Sequence, residues 1–202
     1  MRKLILTATL LLVFIAPAHA EYFGLPNGRS ALLSTTPDLS IEAGLGSGDL
    51  GAADYDHFGL RVNYRVTPGI IAFADIGTGD IGAFSGTPFG VGFFYQLQDL
   101  ISNMDSSLKF SYHDGTFDFG GFDLSVDVIS LELLVSGREA LSDSGLKWYA
   151  NVGFHRISSG QTDNELGFGG GVILPVPNGE AYFGLDFIDG TTFGLGYRYF
   201  IR

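Results

Sequence analysis

The sequence has no cysteine, few basic residues and few charged residues of any kind. Of its 202 residues, 11 are Lys or Arg and 22 are Asp or Glu, and the charged types together make up only 16%. The lack of cysteine excludes disulfides, thiolate metal sites and a lipid-modified N-terminal cysteine. The formal net charge of -11 argues against nucleic acid as a partner, because phosphates require a basic surface.

Long apolar runs are also scarce, and one occurs, from Leu4 to Ile15. It follows Arg2 and Lys3 and precedes Ala18-His19-Ala20, which is the pattern of a cleaved secretory signal peptide. The run is shorter than the roughly 20 residues that a membrane-spanning helix needs. We therefore expect a signal peptide over 1–20, a periplasmic leader, cap or short plug over 21–38, and one domain over 39–202.

Apolar residues are nevertheless abundant, and they alternate along the chain with glycine and isolated charges. Near the C-terminus, Phe193, Leu195 and Tyr197 alternate with Gly194 and Gly196, which is the period of a β-strand. A soluble sandwich would carry Lys, Glu and Thr on its second face. Glycine instead suits the crowded interior of a small barrel whose aromatic residues face lipid. The pattern predicts an all-β fold, a closed antiparallel transmembrane β-barrel.

The alternation predicts ten strands, with eight as the alternative, and places both termini in the periplasm. The phase of the apolar residues changes within 124–136, so we expect a β-bulge near Val128. The links near 48–56, 78–86, 115–123 and 157–164 are expected to be outer loops, with Asp189-Gly190 as a tight turn. The predicted strands are 39–47, 57–67, 70–77, 87–98, 107–114, 124–136, 146–156, 165–175, 180–188 and 191–201.

With these features the chain resembles the small outer-membrane β-barrel proteins of Gram-negative bacteria. Their last strand carries an alternating aromatic assembly signal, and here the matching residues are Phe193, Leu195, Tyr197, Tyr199 and Phe200, followed by two more residues. The resemblance implies residence in the outer membrane, contact with lipid and lipopolysaccharide, and insertion by the barrel assembly machinery. We expect a monomer.

The faces opposite the aromatic residues carry acids and bases in similar numbers, so we expect paired charges inside the lumen. An unpaired charge in such an interior is costly, and ten strands leave little room for a channel. Arg61 and Arg65 share one inward face, and Glu42 and Asp75 are their nearest expected partners. The predicted lumen network comprises Glu42, Arg61, Arg65, Asp75, Lys109, Glu132, Lys147, Asp186 and Arg198.

The surplus negative charge is expected in an acidic crown on the outer loops. Asp54 and Asp56, joined by Asp114 or Asp118, are candidates for a weak Ca²⁺ or Mg²⁺ site, because oxygen ligands suit these cations. Solvation of the loops is the simpler interpretation of the same residues. No other cofactor is expected.

Histidines at predicted outer strand ends suggest a hydrolase at the rim as a minor alternative. The candidate groups are Asp54, Asp56 and His57, then His113 and Asp114, then His155, Ser158 and Glu165. No spacing among them matches a hydrolase signature, so no catalytic residue is assigned and we do not expect an enzyme. The sequence favours a structural or surface-interactive barrel with a filled lumen, and a narrow pore is the alternative.

Overall fold

The computed structural model describes residue 25 and residues 27–50, 53–98, 100–101, 103–188 and 190–201. The predicted signal peptide and the residue Asp189 of the predicted tight turn lie outside these residues. Within them there is no helix long and apolar enough to cross a membrane.

Among the described residues, all of the regular structure is antiparallel β-strand, in one sheet that closes on itself. The strands are β1 (Leu39–Leu50), β2 (Ala53–Thr67), β3 (Ile70–Ile81), β4 (Phe84–Gly86), β5 (Phe89–Leu97), β6 (Met104–Phe119), β7 (Phe122–Gly137), β8 (Lys147–Ser158), β9 (Thr162–Val176), β10 (Gly179–Phe187) and β11 (Thr191–Ile201). Apart from β4 and β5, which do not pair with each other, strands that follow one another along the chain pair, and β1 pairs with β11.

The barrel has ten strand positions, because β4 and β5 share one. Both strands pair with β3 on one side and with β6 on the other. The residues between them, Thr87 and Pro88, interrupt the strand, and proline cannot donate to a ladder. The predicted ten-stranded closed barrel is confirmed, and the eight-stranded alternative is wrong.

The two ends of the barrel differ in construction. We call the end that holds Leu39 and Ile201 the proximal end and the opposite end the distal end. Strands β6 and β7 each have 16 residues, whereas about 9–11 suffice to cross a bilayer. These strands therefore continue well beyond a membrane at the distal end. Much of what we predicted as acidic outer loop is strand.

The exterior of the middle of the barrel is apolar, and that of the distal extension is polar. On β7, Ile129 and Leu131 point outward and are exposed, and Asp123 and Ser125 point outward closer to the tip. The interior changes in the opposite sense. Leu124, Val126 and Val128 line the distal lumen, whereas Ser130 and Glu132 on the same face are buried at mid-height.

This exchange of environments corrects the predicted bulge near Val128. The register from β6 to β7 runs without a shift from Met104↔Gly137 to Phe119↔Phe122, and the register from β7 to β8 is equally regular. The strand keeps one phase throughout. The apolar residues change face because the strand leaves a lipid-facing barrel with a polar interior and enters a water-facing barrel with an apolar interior.

Inward glycines make room for large side chains from neighbouring strands. A Cβ atom added at Gly90 would collide with the ring of His113, and one added at Gly196 would collide with the ring of Tyr182. The lumen holds these rings because the facing strand offers no side chain at that height. This matches the crowded interior that the glycine pattern predicted.

An arginine scan along the outer face of β7 tests where the membrane boundary lies. We expect Leu131→Arg to cost roughly 2–4 kcal/mol of unfolding free energy, because it buries a charge in hydrocarbon. Ser125→Arg, on the same face of the same strand, should cost about 0–1 kcal/mol because it meets water. Denaturant unfolding in lipid vesicles measures both free energies. Equal costs would contradict the change from a lipid-facing to a water-facing exterior along β7.

Candidate functional site

The segment before β1 lies inside the barrel and fills its proximal half. Leu25, Asn27 and Arg29 are buried, and so are Ala31 and Leu33. Asp38 lies at the proximal end, and the residues before it lie inside the lumen. The carbonyl oxygen of Leu25 accepts a hydrogen bond from Arg61 Nη2 at 3.3 Å. We call residues 25–38 the plug; a short plug was one of the three expectations for this region.

Polar side chains of the wall hold the plug. The Asn27 amide donates to Glu132 Oε2 at 2.7 Å, and Arg198 Nη2 donates to the carbonyl oxygen of Gly28 at 3.0 Å. Ser136 Oγ accepts the backbone N–H of Ala31 at 2.9 Å. These contacts reach β7 and β11, and Arg61 on β2 holds Leu25, so the plug braces the barrel across its lumen.

Arg29 is the cation that the plug adds to the lumen. Its Nη2 donates to Asn63 Oδ1 at 2.9 Å, and its guanidinium lies 4.3 Å from the centre of the Phe94 ring. Its Nε and Nη1 have no hydrogen-bond partner among the described residues. Sequence reasoning missed this residue, because the segment shows no strand period.

Arg61 is the centre of one ion network at mid-height. Its Nη2 lies 2.8 Å from Asp75 Oδ2, and its Nη1 lies 4.0 Å from Glu42 Oε1. The register places Glu42 and Asp75 directly opposite Arg61 on the strands to either side. These are the two partners that the sequence suggested for this arginine.

Arg198 extends that network across the β1–β11 seam. Its Nε lies 3.1 Å from Glu42 Oε2, and its Nη1 lies 2.8 Å from Glu180 Oε2. Glu42 therefore lies between two guanidiniums, and it also accepts a hydrogen bond from the Asn63 amide at 3.1 Å. This arrangement joins the first strand to the last at the point where the barrel closes.

A second network occupies the opposite wall. Lys109 Nζ lies 2.9 Å from Glu132 Oε1. The Asn151 amide lies 3.2 Å from Glu132 Oε2 and 3.4 Å from Asp186 Oδ1, so it bridges two carboxylates. Such a bridge separates like charges that would otherwise repel each other in a low-dielectric interior.

Two predicted members of the lumen network lie elsewhere. Arg65 is at the proximal end, where its Nε donates to Asp38 Oδ1 at 2.8 Å, so Glu42 and Asp75 are not its partners. The reason is the plug, which brings Asp38 to the mouth of the barrel. Lys147 lines a cavity of about 120 Å³ at the same end, together with Glu180 and Arg198.

The three histidines of the barrel lie inside it, which corrects their predicted place at the rim. His57, His113 and His155 are all buried. His113 Nε2 lies 3.2 Å from Asp75 Oδ1, and His155 Nδ1 lies 2.8 Å from Ser130 Oγ. Their strands extend farther than the sequence suggested, so these positions are below the rim. The acids Asp54, Asp56 and Asp114 point outward, on the other face of the sheet from the histidines.

Apolar side chains form a cluster at each end of the lumen. At the proximal end, Ala31 and Leu33 of the plug pack with wall residues that include Phe73, Phe94 and Tyr149. The cluster at the distal end consists of Tyr55, Phe117, Val126, Val128, Ile157 and Ile188, with Ile81, Phe84 and Leu124 packed against them. The ion networks lie between the two.

The predicted cation site is not assembled as one cluster. Asp54 and Asp56 lie on β2, and Asp114 and Asp118 lie on β6. With β3 and the shared β4/β5 position between them, these strands are about 14 Å apart across the sheet. In the part of the chain that the structure describes, no three His, Cys, Asp or Glu side chains are grouped as a metal site requires.

These acids instead form like-charged pairs on the exterior of the distal extension. Asp49 lies opposite Asp54 and Asp56 lies opposite Asp80 in the ladder. Asp114 lies opposite Asp127 and Asp118 lies opposite Asp123. Like charges that face each other across a ladder destabilise it. We call this surface the acidic belt.

On the last strand, Phe193, Leu195, Tyr197 and Tyr199 point outward and are exposed. Phe200 is on the other face and lines the small proximal cavity. Four of the five residues of the predicted assembly signal therefore form one apolar stripe on the exterior.

No protein-family model and no curated protein sequence matches the chain. Its fold resembles solved β-barrels. A bacterial polysaccharide outer-membrane secretin is 9% identical with a TM-score of 0.50, over 82% of this chain and 66% of that chain. The beta domain of the Bordetella autotransporter BrkA is 12% identical with a TM-score of 0.48, over 82% of this chain and all (100%) of that chain. The KdgM porin is 14% identical with a TM-score of 0.44, over 81% of this chain and 99% of that chain.

All three are outer-membrane β-barrels, and the likeness to the secretin shows the fold. This chain spans slightly less than two thirds of the secretin chain, 66% of it. The resemblance stated from the sequence is therefore confirmed at the level of the barrel. What the barrel does has to be argued from its own residues.

The Arg61–Asp75 pair offers a test of the ion network. Arg61→Ala should cost about 3–5 kcal/mol of unfolding free energy, because it leaves the Asp75 carboxylate buried without its cation. The double variant R61A/D75A should cost less than the two single variants added together, and denaturant unfolding in vesicles gives all the values.

Arg65→Ala is the matched control for this cycle. Its partner Asp38 is 78% exposed, so the loss should be about 0–1 kcal/mol. If the loss of unfolding free energy in R61A/D75A equalled the sum of the losses in the two single variants, Arg61 and Asp75 would not be coupled, and the paired network would be contradicted.

Proposed function

We propose that this protein is a closed, non-conducting barrel of the outer membrane that presents its distal extension at the cell surface. The observation that carries the proposal is the set of side chains that occupy the lumen at three heights. The plug and its apolar cluster occupy the proximal half, paired charges cross the middle, and a second apolar cluster closes the distal end. An ion would have to cross two apolar layers to pass.

The exterior supports residence in a lipid bilayer. Apolar side chains exposed on the outer face occur on every long strand, among them Phe58, Phe93, Leu131, Phe154 and Phe183. In water such a surface would aggregate, whereas in a membrane it is stable. Lipid and lipopolysaccharide are the partners that this surface would contact, and the exposed stripe of β11 would serve recognition by the barrel assembly machinery.

The role of such a barrel is structural or surface-interactive. The distal extension has an acidic, water-compatible exterior and a packed interior of its own, so it projects as a rigid platform. Strand ends that are held by ladder hydrogen bonds and by an apolar core move less than loops. The buried histidines argue against hydrolysis at the rim, since a substrate at the rim cannot reach them.

Conductance of the protein in a planar bilayer tests closure. We expect no stable openings from preparations whose folding is verified by heat-modifiable migration on a gel. Discrete openings of the intact protein would overturn the proposal in favour of the narrow pore.

A variant without the plug separates the contribution of the plug to closure from that of the distal apolar cluster. Replacement of residues 27–33 by a Gly-Ser segment of equal length removes the proximal apolar contacts and leaves the distal cluster in place. We expect this variant to stay silent as well, because Phe117, Val126 and their neighbours still fill the distal lumen. Openings in the variant alone would assign closure to the plug.

A further inference from the structure

The β6–β7 hairpin rises above its neighbour β8 and leaves one edge of β7 unpaired. Pairing of β6 with β7 continues to Phe119↔Phe122 at the tip. Pairing of β7 with β8 begins only at Asp127↔Ser158. Residues 122–126 therefore pair on the β6 side, and no described strand pairs with them on the β8 side. We call residues 122–126 the free edge.

The tip of this hairpin is a tight turn flanked by two exposed phenylalanine rings. Gly120 and Gly121 have φ angles of 60° and 89°, which suit the two central residues of a tight hairpin turn. Phe119 and Phe122 on either side are 53% and 74% exposed. The Phe119 ring packs on Phe84 at a centroid distance of 5.7 Å, so the extended hairpin is supported from the β4 side.

Side chains along the free edge alternate between an apolar and an acidic face. Leu124 and Val126 point to the distal lumen and belong to its apolar cluster. Asp123 and, one step beyond the free edge, Asp127 point outward, opposite Asp118 and Asp114 of β6. Across the β6–β7 ladder both acids face acids, and on the open side of β7 no described strand faces Asp123, so positive charge there would relieve repulsion.

We propose that the free edge binds an extended polypeptide of a partner protein by β-strand addition. Main-chain hydrogen bonds would supply affinity, and alternate side chains would supply specificity. The incoming strand would take the place that β8 leaves empty. Basic residues would lie beside Asp123 and Ser125, the second within diagonal reach of Asp127, and apolar residues would cover Leu124, Val126 and the exposed Phe122 ring. The partner segment thus alternates basic with apolar residues.

A second copy of this chain fits the edge less well. Edge-to-edge pairing of two copies would bring Asp123 and Asp127 of each close to the same acids of the other, which is unfavourable. The inference deepens the proposed surface role and rests on it, because the free edge must face the medium rather than the lipid. Its test is a binding measurement, so it can fail while the conductance result stands.

The binding experiment uses the protein in lipid nanodiscs and a fluorescent nine-residue peptide that alternates Lys and Val. Fluorescence anisotropy should show saturable binding. The variant D123K/D127K should bind this peptide at least tenfold more weakly and should instead bind a peptide that alternates Glu and Val. The matched control D56K/D80K makes the same charge change within a fully paired part of the acidic belt, and its affinity should stay within about twofold of the parent.

Two further peptides separate strand addition from charge attraction alone. A peptide of the same composition, with its lysines grouped at one end, should bind at least tenfold more weakly, and so should an alternating peptide whose backbone amides are N-methylated. Equal binding of all three peptides, an equal loss in D56K/D80K, or no binding of the alternating peptide would each overturn the proposal. Concentration-dependent dimerisation that competes with the peptide would overturn it in favour of a second copy.

Discussion

The whole structure depends on the requirement that a ten-stranded barrel fill its own interior. A lumen of this size leaves little room for a channel, and burying a polar side chain there is costly without a hydrogen-bond partner. Two solutions are used at different heights. At mid-height the partners are ions and amides, and at the two ends they are apolar side chains. Glycines on the neighbouring strands provide the space in which both kinds of side chain fit.

The mid-height networks also explain how the sheet closes. Glu42 lies between Arg61 on the next strand and Arg198 on the last one, so the carboxylate connects the two ends of the chain. The plug then attaches to the same groups, through Gly28 to Arg198 and through Leu25 to Arg61. Because the guanidiniums bind wall and plug together, loss of the plug would remove hydrogen bonds from the same buried charges that close the sheet.

The inversion of polarity along β6 and β7 separates the membrane part of the molecule from a surface part. One continuous register serves both, so the distal extension is held by the same ladder that spans the membrane. In a loop these residues could change their positions relative to one another. A ladder fixes Asp118 opposite Asp123 and Asp114 opposite Asp127, and it keeps an unpaired edge in a defined position. This rigidity makes the acidic belt and the free edge suitable for recognition.

The sequence by itself determined the barrel, the number of its strand positions and the inward face of most strands. Period-two alternation is a local property, and each strand carries enough of it to set which side chains share a face. Arg61 with Glu42 and Asp75 followed from that, because neighbouring antiparallel strands place their inward residues at matching heights.

Only the tertiary structure decided the plug, the place of the histidines and the meaning of the phase change at Val128. Alternation shows which residues share a face, but it does not show whether that face meets lipid, water or a filled lumen at a given height. That depends on how far the strands extend past the membrane, which the neighbouring strands set. The plug has no period at all, since its residues are placed by contacts with Glu132, Asn63 and Ser136, and these lie far away in the sequence.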